Sequence, residues 1–290
     1  MSILPNHPHP ELQRTPNMTN QPKLQAVIFD WAGTVLDHGS RAPMGAFVRA
    51  FAEFGVAITI ADARGPMGMA KRDHIRAVGQ APAIAAAWQT RFGHPFGEAD
   101  IDAVFDVFEP LNIASVRDHA QFIPGALATL AQLKTRGLRI GSTTGYTRPI
   151  MEELIPIAAE AGFTPEIVVC AGDLPAGRPS PLMMWHALAQ MGIWPAYTAA
   201  KIDDTLPGIG EGVAAGTWTI GVALSGNMAG LTVAELAILP ETERATLRAQ
   251  ATADMVAAGA DIVIDSIADL PAALDQITAR LAAGVLPNSK

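Results

Sequence analysis

The run Ala26-Val27-Ile28-Phe29 ends on Asp30, and Gly33 and Thr34 follow within four residues. A short, partly β-branched apolar run with no proline and no polar alternation reads as a parallel strand buried on both faces. It therefore requires helices on both sides of its sheet. Asp30 then stands at the strand's carboxyl end, the edge at which open α/β sheets bind their ligands. A carboxylate there can be a nucleophile, a base or a metal ligand, or can simply cap a turn. The spacing alone leaves these roles open.

The remaining pattern extends this constraint to the whole chain. Between residues 39 and 117 the periodicity is helical. Met44, Phe47, Val48, Phe51 and Phe54 recur at helix spacing behind Pro43, and Thr59 with Asp62 forms a capping-box pattern. Gly65-Pro66 interrupts, Met69 to Val78 resumes, and two further helices are expected over Pro82–Phe92 and Ala99–Val116. From Phe122 onward, short apolar runs alternate with helical stretches. The expected strands are Leu138–Ser142, Ile167–Cys170, Ala199–Ile202, Trp218–Leu224 and Asp261–Ile264, with one long helical stretch over Thr232–Ala258. Strands alternating with helices of this length give right-handed βαβ units and a parallel sheet. The expected fold is α/β, a Rossmann-like parallel core formed by residues 23–38 and 118–290, with an inserted all-helical cap domain at 39–117. Residues 1–22, with five prolines and no basic region followed by an apolar stretch, read as a disordered tail rather than a signal peptide.

Composition removes several function classes. A net charge of −8 and pI near 5.3 leave no basic stripe for a nucleic-acid backbone. No stretch offers the roughly eighteen apolar residues of a membrane helix. The single cysteine, Cys170, excludes an internal disulfide and fits a reducing cytoplasm. A small phosphate-bearing ligand would need local positive charge or a metal ion.

Each predicted strand also delivers polar groups to its carboxyl end. These are Asp30 from the first, Thr143 and Thr144 from the second, Arg178 from the loop after the third, and Asp203 and Asp204 from the fourth. Hydroxyl, guanidinium and paired acids gathered around Asp30 suit a phosphoryl group and a divalent ion. In the same order, these residues resemble the motifs of the haloacid dehalogenase-like superfamily. D-x-x-G-T-x-x-D from Asp30 to Asp37 resembles motif I, whose first Asp attacks phosphorus or carbon. Thr144 resembles the phosphate-binding hydroxyl, Arg178 the motif III cation and Asp204 a motif IV metal ligand. Two positions depart from the pattern. Ala32 stands where phosphatases of the superfamily carry a proton-donating Asp. Gly208 stands where many members carry a second acid, with Asp203 in place of the more usual glycine.

Lys71 and His74 lie three residues apart on one predicted helix face, beside Met67. This stretch, PMGMAKRDHIRAV, together with FDWAGTVLDHG, GSTTGYTR and PAGRPSP, resembles the phosphonoacetaldehyde hydrolases (phosphonatases) of that superfamily. The similarity covers almost the whole chain outside the tail. It implies hydrolysis of a P–C bond to acetaldehyde and phosphate, with Lys71 as Schiff-base lysine and Asp30 as nucleophile. Further implications are Thr144, Arg178, Met67, His74 and Tyr146 around the substrate, and Mg²⁺ on Asp30, the Ala32 carbonyl and Asp204. Asp203 is expected to act from behind the metal ligands, and the protein to be a homodimer. The alternatives are another capped hydrolase of the superfamily, a phosphomonoesterase or dehalogenase for which Lys71 is incidental, and a ligand-binding module without turnover.

Overall fold

The computed structural model describes residues 23–288, so the tail expected over 1–22 lies outside the described residues. After strand β1 (Ala26–Phe29) come five helices: α1 (Ala42–Glu53), α2 (Ile60–Arg64), α3 (Lys71–Gly79), α4 (Pro82–Phe92) and α5 (Glu98–Asp118). The chain then alternates through α6 (Ala126–Thr135), β2 (Arg139–Thr147), α7 (Arg148–Glu160), β3 (Val168–Ala171) and α8 (Leu182–Gln190). It continues with β4 (Ala199–Asp203), α9 (Leu206–Ala215), β5 (Trp218–Val222), α10 (Val233–Ile238) and α11 (Glu241–Ala257), and closes with β6 (Ile262–Ile264) and α12 (Leu270–Ala282).

The six strands form one parallel sheet in the order β3-β2-β1-β4-β5-β6. After β1 the chain winds outward through β2 and β3, then returns to lay β4 against the other side of β1. The crevice between β1 and β4 is thus the point at which the winding reverses, where a doubly wound sheet opens for ligands. β1 is buried on both faces, as its unbroken apolar run requires. Val27 and Phe29 join the large core shared with α6, α7 and α12, whereas Ala26 and Ile28 face Met184 and Leu188 of α8.

The inserted helices enclose a hydrophobic cluster of their own, in which Met44, Phe47, Phe51, Trp88, Phe96 and Phe108 meet and the Phe47 and Phe108 rings stack at 4.2 Å. The Thr59–Asp62 capping box forms at the start of α2. Two expectations need correction. β2 does not stop at Ser142. It runs on to Thr147, with an irregular register between Thr144 and Thr147, because β3 continues to pair with it. The single helical stretch expected over Thr232–Ala258 is two helices broken at Pro240, whose extended backbone ends α10 and starts α11.

Candidate active site

At the end of β1 the Asp30 carboxylate is buried, and Arg178 reaches it from the loop after β3, with Nη2 2.9 Å from Oδ1. Burial raises the Asp30 pKa to about 6, and neighbouring Asp203 adds to the shift, while Arg178 and Lys201 oppose it. Arg178 also contacts Asp203 at 3.3 Å and Glu211 of α9 at 3.0 Å, and its Nη2 donates to the Thr143 carbonyl at 2.6 Å. Lys201, fully buried in the middle of β4, lies 3.0 Å from both Asp203 and Glu211 and donates to Thr143 Oγ1 at 2.6 Å. The Thr143 hydroxyl donates in turn to Glu211 Oε2 at 2.8 Å. Ionised groups this deeply buried persist only when paired.

Asp204 has a different environment. It follows β4 directly, is fully buried, and accepts from the Asn227 backbone N–H at 2.7 Å and from Thr34 Oγ1 at 3.3 Å. Burial raises its pKa well above the usual carboxylate range, and Asp30 and Asp203 add to the shift. Its carboxylate fills space left by glycine: a Cβ at Gly33 would sit 2.0 Å from Asp204 Oδ2, and one at Gly226 2.3 Å from Asp204 Cβ. Gly33 further adopts φ +79°, a conformation that L side chains resist.

Ligand oxygens of Asp30, Asp203 and Asp204 all lie within 4.8 Å of one another. Around them four buried carboxylates, counting Glu211, face two buried paired cations, Arg178 and Lys201. A divalent cation matches that deficit, and an all-oxygen donor set is the kind that magnesium or calcium accepts. The donor set therefore fits a metal ion.

From the cap, Lys71 opens α3 behind the Pro66–Gly68 turn and is buried. Its polar contact is Met67 Sδ at 3.9 Å, and its ammonium lies over the Tyr146 ring, 4.9 Å from the centroid. Burial, above all, pushes the Lys71 pKa down to about 8. Arg178 adds to that shift, whereas Asp30 and Asp204 oppose it. The positive end of the α3 dipole acts in the same direction as burial. His74, one turn on, is locked by a 2.6 Å hydrogen bond from Nε2 to the Ala63 carbonyl and by the Phe47 ring at 4.0 Å. Its burial drives its pKa to about 3, so it is neutral, and among the described residues Nδ1 has no partner.

One small cavity joins the two halves of the site. Asp30, Ala32 and Arg178 line it from the core, Tyr146 and Gly145 from β2, and Met67, Gly68 and Lys71 from the cap. Larger grooves among the described residues, such as one of about 330 Å³ beside α10 and α11, do not hold these reactive groups. His74 and Thr144 stand behind the lining. The Thr144 hydroxyl accepts from the Tyr146 backbone N–H at 3.1 Å. Sequence reasoning did not identify Lys201, Glu211, Ser40 and Thr205, the last two of which also line the cavity. A lysine inside the apolar run of β4 was the available signal for Lys201.

The departure at Gly208 acquires a physical reason. A Cβ at Gly208 would lie 1.9–2.1 Å from the Asp203 carboxylate atoms. That carboxylate occupies the space of the side chain absent at Gly208, and it accepts from the Thr205 backbone N–H and hydroxyl at 3.0 and 2.6 Å.

Comparison with known proteins places the chain in a family. A family model of haloacid dehalogenase-like hydrolases matches residues 24–216. The chain is 53% identical over 264 residues to a phosphonoacetaldehyde hydrolase of Paraburkholderia phytofirmans, covering 91% of this chain and 99% of that one. It is 47% identical to a phosphonoacetaldehyde hydrolase of Vibrio cholerae serotype O1, covering 93% and 100%. The crystal structure of a phosphonoacetaldehyde hydrolase-like protein from Oleispira antarctica superposes with a TM-score of 0.90 at 38% identity, covering 92% and 97%.

Proposed function

The chain belongs to the phosphonoacetaldehyde hydrolases, within the haloacid dehalogenase-like hydrolases, and on that premise we propose how its own residues hydrolyse the P–C bond of phosphonoacetaldehyde to acetaldehyde and phosphate. The observation that carries the mechanism is a buried lysine that, among the described residues, has no carboxylate partner and lines the same cavity as a buried aspartate.

Direct P–C cleavage would expel a poor carbanion, so the electrons need a sink. The Lys71 amine adds to the aldehyde and loses water to form an imine, whose protonated form accepts electrons. An Asp30 oxygen attacks phosphorus, the P–C bond breaks, and its electron pair moves into the iminium to give an enamine and an aspartyl phosphate. Protonation of the enamine carbon and hydrolysis release acetaldehyde and free Lys71. Water cleaves the aspartyl phosphate to phosphate and Asp30. A departing enamine carbon needs no acid beside Asp30, which makes Ala32 intelligible.

Arg178 supplies fixed positive charge at Asp30, and Met67, Tyr146 and neutral His74 keep Lys71 dry enough that a fraction of its amine is free near neutral pH. Thr144 holds the Gly145–Tyr146 backbone against the phosphonyl site. Mg²⁺, held by Asp30, the Ala32 carbonyl and Asp204, would offset the repulsion between a carboxylate and an anionic phosphonate. Asp203, already engaged by Arg178, Lys201 and Thr205, orients this set without direct coordination. The same reading takes 39–117 as the cap domain, 23–38 and 118–290 as the core domain, and the protein as a cytoplasmic homodimer. Among the described residues no helix is long and apolar enough to cross a membrane.

Purified protein given phosphonoacetaldehyde and Mg²⁺ should release acetaldehyde and phosphate in equal amounts, and EDTA should stop both. Phosphate without acetaldehyde would reassign the chain to phosphomonoester chemistry.

A further inference from the structure

Arg64, the last residue of α2, leaves the cap and crosses to the core. Its Nη1 lies 2.9 Å from the Gly39 carbonyl, 3.0 Å from the Asn227 carbonyl and 3.0 Å from Asn227 Oδ1. Asn227 answers with a 3.4 Å bond from Nδ2 to the Arg64 carbonyl, and its backbone N–H is the group that holds Asp204 Oδ2. Space for the guanidinium is built in: Gly230, at φ +66°, would place a Cβ 2.6 Å from Arg64 Cζ. Gly39 belongs to the linker between core and cap, in which Asp37, Gly39 and Ser40 all have positive φ. Among the described residues no carboxylate pairs directly with Arg64. Its partners are three neutral oxygens gathered around the single nitrogen Nη1.

We propose that Arg64 and Asn227 form a latch that ties the cap to the loop holding Asp204, making Arg64 the positioning residue that sets Lys71 over Asp30. The inference rests on the reaction assigned above. Lys71 lies seven residues beyond Arg64, across the Pro66–Gly68 turn, and a Cβ at Gly68 would meet Thr205, which caps α9 on the core side. Releasing the guanidinium therefore frees the segment that carries the amine, whereas the carboxylates stay on the sheet edge.

The test uses the full chain with phosphonoacetaldehyde and Mg²⁺. Arg64→Met should lower kcat/KM by about ten- to a hundredfold, the penalty for a misplaced reacting group. It should also slow borohydride trapping of Lys71 with the substrate by a similar factor. Arg64→Lys should restore part of both. Asn227→Ala, which keeps the backbone bond to Asp204, should reduce both, and the double variant should lose no more than the worse single one. Wild-type trapping in a folded Arg64→Met protein, or losses that multiply in the double variant, would overturn the latch. If Arg64→Met does not fold, Arg64→Lys combined with Asn227→Ala decides by the same criterion. Absence of acetaldehyde from the wild-type protein would instead sink the assigned reaction.

Discussion

Lys71 combines a charge-capable amine with an almost fully apolar setting, and the conflict has a measurable sign. Burial holds its pKa at about 8 in the folded protein, below the 10.5 of an exposed lysine. Below about pH 8 the amine is protonated in both states and the full penalty of burying an ammonium is present. Between 8 and 10.5 the unfolded chain binds more protons, so stability rises with pH. Lys71→Met should therefore stabilise the protein at pH 7 by up to about 3 kcal/mol, and the gain should shrink toward pH 10. Denaturant melts at the two pH values would show it. A Met variant less stable than wild type at pH 7 would mean that the ammonium is well accommodated. The chemical counterpart concerns labelling: borohydride with phosphonoacetaldehyde should inactivate the enzyme and label Lys71, whereas Lys71→Arg should be neither labelled nor active. An active Arg variant would exclude the imine.

The junction of β4 and α9 shows how two positions share one volume. Asp203 ends the strand, Gly208 lies in the first turn of the helix, and the Asp203 carboxylate occupies the space a Gly208 side chain would need. Gly208→Asp should destabilise the protein by about 1–3 kcal/mol through overpacking, with like-charge repulsion in addition. Adding Asp203→Gly should recover most of that loss, because the carboxylate then enters the same space from the helix. Thermal melts of the two variants decide the matter, and a Gly208→Asp protein as stable as wild type would show that Asp203 can move aside. Lys201 and Glu211 belong to this junction too. Against the cost of burial, Arg178 and then Lys201 keep Asp203 ionised at the sheet edge, and Glu211 shares both cations.

At the scale of the molecule, the carboxylate cluster exists only because β1, β4 and the turn after β5 meet at one crevice. Mg²⁺ that binds the folded state alone should raise the melting temperature as its concentration rises. Asp203→Ala should shift the half-effective concentration by about ten- to a hundredfold, the usual result of losing a group behind the ligands. Asp204→Ala should shift it further. A larger loss at Asp203 would reverse their roles. The parallel sheet, the helical insertion and the strand ends carrying Asp30, Thr144, Arg178 and Asp204 were legible in the sequence. Unbroken apolar runs specify strands buried on both faces, and parallel winding puts whatever follows them at one edge. Likewise Ala32 with Lys71 was legible through the resemblance their motifs carry. The sequence does not, however, specify partners. That Lys201 neutralises Asp203, that His74 bonds the Ala63 carbonyl, and that Arg64 meets Asn227 across 163 positions follow only from how separate elements pack. Periodicity records which side of an element is buried. The atoms it is buried against are chosen by the tertiary fold.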